Sequence, residues 1–442
     1  MESGREDRRA ERLAPGLGAA IFDPTMKNSL QGIYALLRAN DPVSAVPTPS
    51  GTTMWVVTRY EDSLAVLRDH QRFGNDPGKI YSQEQLDEMY AGLMEHLTED
   101  QVQRLQEVDQ AVSRHLLGVD PPDHTRLRKL VSRSFTPKYV EGLRSRVQAI
   151  TDALIDDLAV GEDRGERVVD LIDRFAFPLP LTVIAEMLGI PLEMREQFRI
   201  WSNAAVAFDP THPGSDMSIN DLLYDFIEYI RMLIDEKRKR PADDLLSMLV
   251  IAEEEGDRLS EPELVGMAFL LIVAGHETTV NLIGNAMLLF FAHPDQWELL
   301  RANPELVRSA VEEVLRHTGP VEHSLSRWVK DPTEIAGQPV AAGDQVVVAL
   351  ASANRDAAQF PDPDRFDITR EPGRHLAFGM GIHACLGAPL ARMEGQIALS
   401  SLVARFPDIR LAVPVWELTP RSGSLIHGVA ALPVDLGTRR EV

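Results

Sequence analysis

The sequence predicts a mainly α-helical protein with a small β region, built as a single domain over residues 1–442. Helical patterns recur along the chain, strand-like segments are short, and no Pro/Gly/Ser-rich linker divides the 442 residues. Hydrophobic residues make up 44% of the chain, which is enough material for one large core. Residues 1–20 are expected to form a frayed tail, because the segment 1–12 is rich in charged side chains.

The composition disfavours several classes of partner. The formal net charge is -22, which argues against a nucleic-acid binder and against a protein that binds anionic membranes. The N-terminal residues lack the apolar segment that a signal peptide requires. The single cysteine, Cys385, has no partner within the chain for a disulfide. These features together predict a cytoplasmic protein.

The first part of the chain predicts a helix followed by a small sheet. Gly32–Arg38 has the pattern of an amphipathic helix, Val43–Pro47 and Thr53–Thr58 are strand candidates, and Tyr60–Asp69 is again helical. Residues 81–110 are strongly acidic, and the simplest interpretation of that charge is a solvated helical face.

Helical patterns continue through the middle of the chain. They cover Arg144–Leu158, Val183–Leu188, Arg195–Phe208 and Asp221–Arg240, and a polar loop spans Asp209–Ile219. The last two helices and this loop predict a helical hairpin.

A long helix is predicted between Ser260 and His293. Ser260 and Glu263 form a capping box at its start, and no stop signal appears before His293-Pro294. About 32 residues at 1.5 Å each give a length of roughly 48 Å. A membrane span is disfavoured, because the polar stretch Gly275–Thr279 interrupts the apolar run before the roughly 20 residues that a bilayer needs. A zinc-protease motif would require histidine at the position of Val280.

The most informative stretch is Phe378–Gly387, which reads Phe-Gly-Met-Gly-Ile-His-Ala-Cys-Leu-Gly. Glycines on both sides of Cys385 allow a tight turn and a close approach to a flat ligand. The following sequence is helical, so the thiol lies at a helix start, where amide N–H groups and the helix dipole favour the thiolate that binds metals. On these residues alone, a buried structural cysteine and a nucleophile with His383 nearby remain open alternatives.

This ten-residue stretch matches, at every fixed position, the haem-binding loop Phe-Gly-x-Gly-x-His-x-Cys-x-Gly, and the chain therefore resembles the cytochrome P-450 family. The resemblance implies a triangular-prism fold around a buried haem b, which lies between the long helix and this loop. It implies that Cys385 is the axial thiolate ligand of the iron and that Phe378, His383 and Gly387 help to bind the cofactor.

The polar middle of the long helix resembles the oxygen-binding stretch of the family. Thr278 is spaced to bond to the carbonyl oxygen of Ala274, and Gly275 removes a Cβ nearby, so the helix is expected to open for dioxygen and water beside the cofactor. Glu277 and Thr278 then form an acid–alcohol pair for proton delivery. The alternative for Glu277 is a salt-bridged core carboxylate. His276 occupies a variable position of the family and has no assigned role.

A basic segment follows the acidic one. Residues 124–146 carry seven Lys or Arg side chains and one acid, for which a solvated basic helix is the plain interpretation. The resemblance implies that His124 and Arg128, on one helical face, and Arg327 contact the haem propionates. Other basic residues here are candidates for a positive patch that receives an acidic electron-donor protein. They include Arg126, Lys129 and Arg133.

Glu313 and Arg316 resemble the Glu-x-x-Arg pair of the family, with Arg365 as the third member of a buried ion network. The spacing recurs elsewhere in the chain, so the position downstream of the long helix is what selects this pair. Breaking one partner of such a network costs roughly 3–5 kcal/mol.

Two further segments match stretches that line the substrate pocket in the family, and residues 81–110 match the segment over its mouth, which predicts a lid. An ordinary core position is the alternative for each pocket candidate. The candidates are Val321, Ser324, Leu325, Leu425 and Ile426.

The activity implied by the resemblance is insertion of one oxygen atom of O2 into a C–H bond of an apolar small molecule, such as a macrolide or other polyketide, a steroid or a terpenoid. The chain lacks a Gly-rich dinucleotide loop, so electrons from NAD(P)H are expected to arrive through a ferredoxin or flavodoxin and its reductase, as in the soluble bacterial class. A haem-thiolate isomerase, dehydratase or peroxide-driven oxidant, and a haem sensor, are the alternatives.

Overall fold

The computed structural model describes residues 17–47, 53–82, 84–86, 97–163, 167–191, 193–207, 217–254, 259–371 and 373–440. Most of this described part is helical, which confirms the predicted fold class. The α-helices with four or more described residues are α1 (Leu30–Asn40), α2 (Tyr60–Arg68), α3 (Glu99–Ser113), α4 (Asp123–Val131), α5 (Pro137–Asp163), α6 (Pro178–Leu188), α7 (Arg195–Ala207), α8 (Met217–Lys239), α9 (Leu245–Glu254), α10 (Glu261–Ala292), α11 (Pro294–Ala302), α12 (Val307–Thr318), α13 (Leu350–Ala353) and α14 (Ala388–Arg405).

The β structure is small and lies in three pieces. The strands are β1 (Val43–Pro47), β2 (Thr53–Val57), β3 (Phe73–Gly74), β4 (Val168–Asp170), β5 (Arg327–Val329), β6 (Thr333–Ile335), β7 (Gln338–Val340), β8 (Gln345–Val348), β9 (Arg410–Leu411) and β10 (Pro433–Asp435). The largest sheet has the order β1-β2-β8-β5-β3, β4-β10-β9 form a second sheet, and β6 pairs with β7. The parallel pairing of β2 with β8 joins the start of the chain to the region before Cys385.

The predicted opening of the chain is confirmed, apart from its tail. The helix, two strands and second helix lie within about two residues of their expected bounds. The expectation that the tail extends to residue 20 is wrong, because Ala19–Phe22 form a short 3-10 helix and Ile21 is buried against α1. Residues 1–16 lie outside the described part of the chain.

The acidic segment is described only in part, since residues 83 and 87–96 lie outside the description. Its final portion is α3, which packs against α8 and α10. Arg104 of α3 pairs with Asp221 of α8 at 3.4 Å, and Arg231 of α8 pairs with Glu107 of α3 at 2.6 Å. Two ion pairs therefore connect the acidic helix to the second helix of the predicted hairpin. The lid itself remains a prediction.

The long helix is confirmed as α10, with 32 residues. The amide of Ser260 donates to the carboxylate of Glu263 at 2.8 Å, as the capping box predicts. α10 is the one described helix that is long and apolar enough to cross a membrane, and 72% of its most apolar window is buried inside the protein. Such burial is typical of a core helix, and α10 packs against α3, α6, α12 and α14.

The ion pair of α12 is buried, as predicted. The guanidinium of Arg316 binds both carboxylate oxygens of Glu313, at 2.7 and 2.8 Å. The third member is not the side chain of Arg365, which is 67% exposed and pairs with Asp367; only its carbonyl oxygen accepts a bond from Arg316. Instead Arg370 donates to Glu313 at 3.2 Å. The prediction for Arg365 is thus wrong, because the chain turns between these residues and brings Arg370 inward.

The neighbouring residue of α12 forms a second network. Glu312 accepts bonds from His375 at 3.0 Å and from Arg392 of α14 at 2.6 and 2.9 Å. Burial acts to raise the pKa of Glu312, but His375 and Arg392 outweigh it and lower the pKa to about 2. The carboxylate is therefore ionised at neutral pH.

We expect replacement of Arg370 to destabilise the protein far more than replacement of Arg365. Arg370→Leu leaves the buried Glu313 carboxylate with one cation fewer, which should lower the free energy of unfolding by roughly 2–4 kcal/mol. Arg365→Leu alters an exposed side chain and should change it by less than about 0.5 kcal/mol. Urea unfolding of the two variants measures the difference. Equal destabilisation of both would contradict the assignment of Arg370 to the network.

Candidate active site

The loop before α14 has a backbone that only glycine permits at two positions. Gly379 and Gly381 have φ angles of 63° and 78°. A Cβ on Gly381 would also lie 2.4 Å from the carbonyl oxygen of Leu67, so the loop rests directly on the end of α2. The amide of Cys385 then donates to the carbonyl of Phe378 at 2.9 Å and closes the loop. The glycines therefore place the thiol at a fixed point ahead of α14.

The surroundings of Cys385 combine burial with groups that stabilise a negative charge. The side chain has accessible surface, yet protein atoms surround it closely enough that burial raises the pKa of the thiol. The amides of Gly387 and Ala388 and the charges of Arg128 and Arg392 oppose this rise. The expected thiolate stabilisation by the helix start is present, but burial outweighs it in the protein alone. A bound cation would shift that balance toward the thiolate.

Two arginines, Arg128 and Arg392, contact the loop that carries Cys385. Arg128 of α4 donates to the carbonyl oxygens of Ile382 and Ala384, each at 2.8 Å. Its contact with a propionate stays a prediction. The guanidinium of Arg392 lies 4.4 Å from the centre of the Phe378 ring and is held by Glu312. Arg392 was missed in the sequence because nothing there connects it to α12.

The predicted haem contacts His124, His383 and Arg327 form a cluster in which the guanidinium of Arg327 carries the positive charge. The two imidazole rings meet edge to face at 4.4 Å, and Nε2 of His124 and both nitrogens of His383 have no hydrogen-bond partner within the described residues. Burial and the neighbouring His124 and Arg327 lower the pKa of His383 to about 3. Among the described residues, Arg327 donates only to the carbonyls of Val66 and Leu67, and burial lowers its pKa to about 10.

This cluster fits the group that the resemblance implies. A buried guanidinium bonded only to backbone carbonyls, and buried imidazole nitrogens without partners, are suited to an anionic ligand with several oxygen atoms. The propionates of a haem have this chemistry, and Cys385 offers the thiolate that its iron requires. The residues present therefore fit a haem.

The polar middle of α10 is regular helix. Oγ1 of Thr278 donates to the carbonyl oxygen of Ala274 at 3.2 Å, which confirms the predicted bond, but the residues remain α-helical. Ala274 is exposed although most of α10 is buried, so this turn borders open space. Gly275 serves a different purpose from the predicted one. A Cβ there would lie 2.7 Å from Ile184, so the glycine lets α6 approach α10.

Glu277 is buried and paired with a residue that the sequence did not point to. Nη2 of Arg421 lies 2.6 Å from Oε2 of Glu277, so Glu277 is a salt-bridged carboxylate, as the alternative interpretation of the sequence predicted. Burial acts to raise the pKa of Glu277, yet His276, Arg421 and Arg199 together lower it. Lys27 in turn donates to the carbonyl of Arg421 at 2.5 Å and so braces the C-terminal segment from the start of the chain.

A second buried carboxyl, on α14, faces α10. Glu394 is 1% exposed, and neither oxygen makes a well-aligned hydrogen bond within the described residues. Burial raises the pKa of Glu394 to about 8, and the hydroxyl of Thr279 is the neighbour that acts to lower it. Because no cation faces it in the described part, this carboxyl is neutral at pH 7, unlike Glu277. The contact joins the helix after Cys385 to the residue beside Thr278.

The predicted pocket segments come together as a pair. Val321 and Ile426 form an antiparallel bridge, and the amide of Glu322 donates to the carbonyl of Leu425 at 2.9 Å. Leu325 is 41% exposed, and the hydroxyl of Ser324 accepts the amide of Val348. Ile426 is buried, which is the ordinary core position that was the alternative.

Buried polar residues behind these two segments were not predicted. Glu322 accepts bonds from Nδ1 of His427 at 2.7 Å and from the hydroxyl of Tyr34 at 3.1 Å. Lys27 also donates to the carbonyl of Ile426 at 2.9 Å. These contacts join residues that lie 105, 288 and 399 positions apart, so no local pattern could have shown them.

Comparisons with known proteins agree with this geometry. The sequence model of the family described as cytochrome P-450 matches residues 88–408. A protein called cytochrome P-450 107B1 from Saccharopolyspora erythraea is 44% identical over 94% of this chain and 97% of its own length. The cytochrome P-450 monooxygenase PikC of Streptomyces venezuelae is 43% identical over 92% of this chain and 91% of its own. The crystal structure of the myxobacterial cytochrome P-450 CYP267B1 with myristic acid covers 94% of this chain and 98% of its own, with 43% identity and a TM-score of 0.83.

Replacement of Glu394 by an uncharged residue should raise the free energy of unfolding at alkaline pH. The raised pKa of Glu394 means that the folded state binds a proton which the unfolded state, with a pKa near 4.5, releases. Stability therefore falls as pH rises from about 4.5 to about 8. Glu394→Gln should remove this fall and stabilise the protein at pH 8.5 by roughly 1–3 kcal/mol, since an imperfectly bonded amide offsets part of the gain.

Urea unfolding of Glu394→Gln and the unaltered protein at pH 5 and pH 8.5 tests this expectation. The difference between the two proteins should grow with pH. Parallel pH profiles would contradict a neutral buried carboxyl at this position.

Proposed function

The chain belongs to the cytochrome P-450 family and is a haem-thiolate monooxygenase, and from this premise we propose that it hydroxylates a polyketide of the macrolide type in bacterial secondary metabolism. The observation that supports this substrate class is the set of related enzymes. Beside PikC, the 6-deoxyerythronolide B hydroxylase of Saccharopolyspora erythraea is 40% identical over 91% of this chain. The mycinamicin IV hydroxylase/epoxidase of Micromonospora griseorubida is 39% identical over 92%.

The residues that would hold the haem come from three parts of the chain. Cys385 would supply the thiolate that binds the iron, supported by the amides of Gly387 and Ala388. His124, His383 and Arg327 would face the propionates, and Arg128 would keep the ligand loop in place through two carbonyls. When bound, the haem supplies the activation of O2 and the oxidation of the C–H bond.

Glu277 and Thr278 are the proposed proton-delivery pair. Thr278 is tied to Ala274 at the exposed turn of α10, so its hydroxyl lies at the edge of open space. Glu277 is its neighbour in sequence, and its carboxylate is held by the guanidinium of Arg421. A carboxyl that exchanges protons and a hydroxyl that orients them are what oxygen activation requires of the protein.

The substrate side of the site is proposed to be bounded by Ala274 and by the paired segments that carry Leu325 and Ile426. Ala274 and Leu325 expose apolar surface, Val321 and Leu425 are half-buried, and Ile426 is buried. A weakly polar surface of this kind suits a large molecule with few charges. A long-chain fatty acid is the second candidate, because the related CYP267B1 structure contains myristic acid.

Electrons are proposed to come from NAD(P)H through a reductase and a ferredoxin or flavodoxin, which places the reaction in the cytoplasm. A cleft of about 240 Å³ lies beside the start of α14, close in sequence to Cys385, and Arg144, Arg308 and Arg392 are among its lining residues. The exposed basic side chains of the proposed donor surface are Lys129, Lys138 and Arg308. Arg126, which was predicted to belong to it, instead pairs with Glu263 and Asp123. The side chain of Arg133 lies outside the description.

A spectral titration tests the substrate class. We expect the purified ferric protein to show a low-to-high-spin shift of the Soret band with a macrolide, and a weaker one or none with testosterone and myristic acid. Leu325→Ala should raise the Kd for the macrolide by about fivefold to tenfold, because an apolar side chain that the bound substrate would bury is lost. Met232→Ala, an exposed residue of α8, is the matched control. A shift with myristic acid alone would overturn the macrolide proposal in favour of the fatty acid.

Charge reversal tests the donor surface. Lys138→Glu and Arg308→Glu should each raise the KM for an acidic ferredoxin by about tenfold or less at low salt and reduce its dependence on NaCl, because rim charges act on association. The turnover number at saturating ferredoxin should change little. Lys239→Glu, at the exposed end of α8, is the control. An equal effect of all three variants would contradict a docking site beside α14.

A further inference from the structure

Residues 421–426 form a loop whose two ends differ in what they contact. At its start, the guanidinium of Arg421 binds the carboxylate of Glu277 at 2.6 Å. At its end, Ile426 is buried and forms an antiparallel bridge with Val321. The end of the 421–426 loop is therefore anchored in the core, and its start carries the partner of the proposed proton-delivery carboxylate.

Two helices close two sides of this loop. Gly423 has a φ angle of 76°, and a Cβ there would lie 3.0 Å from the carbonyl oxygen of Val206 at the end of α7. Gly428, just after the loop, lies so near α10 that a Cβ would be 1.9 Å from Oδ1 of Asn281. Atoms of α7 and α10 fill the space on these sides, so the 421–426 loop has no room to move toward either helix.

A third side is closed by one side chain, Lys27. Its ammonium donates to the carbonyl oxygen of Arg421 at 2.5 Å and to that of Ile426 at 2.9 Å, so a single group bridges the two ends of the loop. Lys27 lies in the 3-10 helix Pro24–Ser29, which precedes Arg421 by almost the whole chain. Hydrogen bonds from a cation are stronger than those between neutral groups. The N-terminal segment thus ties Arg421 to the anchored end of its own loop.

The burial of Lys27 is consistent with a positioning role. The side chain is 8% exposed, and both of these hydrogen bonds go to backbone carbonyls. Burial lowers the pKa of Lys27, and the charge of Glu322 opposes that change. The oxygens of Glu322 are themselves bonded to His427 and Tyr34. Burying a charge is unfavourable unless strong hydrogen bonds offset it, and here the offsetting bonds fix the path of a backbone.

We propose that Lys27 is a positioning residue for the reaction, because it closes the 421–426 loop and thereby keeps Arg421 on Glu277. This inference rests on the proposed proton-delivery role of Glu277. Lys27 itself touches neither of the two side chains. Without its ammonium, the loop relaxes away from α7 and α10 into the space that Lys27 fills, and the guanidinium of Arg421 moves away from the carboxylate.

Lys27→Met is the variant that tests this role, because methionine keeps much of the apolar stem and removes every N–H donor. Lys27→Gln retains an amide donor with a shorter reach. It replaces the methionine variant if that protein fails to incorporate haem, and it should show the same changes at a smaller size. Lys237→Met is the matched control, since Lys237 is a buried lysine of α8 whose partner is the carboxylate of Asp244.

The first measurement does not depend on turnover. Amide hydrogen exchange of the ferric haem protein, followed by mass spectrometry, reports how often residues 421–428 open. We expect exchange there to be at least about tenfold faster in Lys27→Met, because two hydrogen bonds from a charged donor are lost. Lys237→Met should leave exchange in this segment unchanged. Equal exchange in Lys27→Met and in the unaltered protein would overturn the proposal.

The second measurement is the product formed per NADH consumed at saturating substrate in Lys27→Met, in Arg421→Gln and in the variant with both changes. Each single change should lower this ratio by about threefold to tenfold, less than the roughly 10²-fold that a displacement of 1 Å can cause. Because Lys27 acts through Arg421, the double variant should be no worse than Arg421→Gln alone. Losses that multiply in the double variant would show an independent, general effect of Lys27 and would overturn the proposal.

Glu277→Gln separates this proposal from the function on which it rests. If Glu277→Gln forms product from NADH as efficiently as the unaltered protein, the proton-delivery function fails, and the catalytic role of Lys27 fails with it even where exchange is fast. If Glu277→Gln and Arg421→Gln lower the ratio and Lys27→Met does not, the role of Lys27 alone is overturned.

Discussion

Two adjacent glutamates on one turn of α12 fix the chain that leads to the thiol. Successive residues of an α-helix point about 100° apart, so Glu312 and Glu313 address different segments. Glu313, with Arg316, holds residues 365–370 through Arg370 and a backbone carbonyl. Glu312 holds His375 and, through Arg392, the ring of Phe378. The position of Cys385 thus follows from charges that are buried some 70 residues earlier in the chain.

The site concentrates cationic groups in a protein of net charge -22. Arg128 and Arg392 lie near Cys385, Arg327 lies beside the imidazoles of His124 and His383, and Arg421 and Arg199 act on Glu277. A buried cation is stable only when an anion or several carbonyl oxygens face it. Arg421 has an anion as its partner, and Arg128 and Arg327 each have two carbonyl oxygens. Arg327 also lies beside imidazole nitrogens without partners in the described residues, so its cluster is suited to the carboxylates of a ligand. The excess of acids therefore lies mainly outside the site, where water screens them.

Local patterns predicted the elements, and distant contacts decided the roles. The capping box at Ser260, the bond from Thr278 to Ala274 and the loop glycines are consequences of spacing within a few residues, so the sequence sufficed for them. Arg421 lies 144 residues from Glu277, and no periodicity relates them. Arg365 and Arg370 differ by five positions in an irregular segment, where spacing does not tell which side chain turns inward.

Gly275 is a second example of a role that the sequence could not decide. A glycine in the middle of a helix predicts that something lies close to the backbone, and something does. The sequence could not tell whether a ligand or a neighbouring helix occupies that side, and the answer is Ile184 of α6. The exposed position on this turn is Ala274 instead. Neighbouring residues of a helix point about 100° apart, so Gly275 faces the packed helix α6 while Ala274 faces the open side.

The two buried carboxyls around α10 show how surroundings, rather than residue type, set chemistry. Burial acts to raise the pKa of both Glu277 and Glu394, and only Glu277 has neighbours that reverse that effect. The largest of these contributions comes from His276 on α10 itself, and Arg421 of the C-terminal segment and Arg199 of α7 add to it. The pKa of Glu277 therefore depends in part on how these two segments sit against the long helix. A movement that carries Arg199 or Arg421 away would raise the pKa of Glu277 toward that of Glu394, which has no such cation beside it among the described residues.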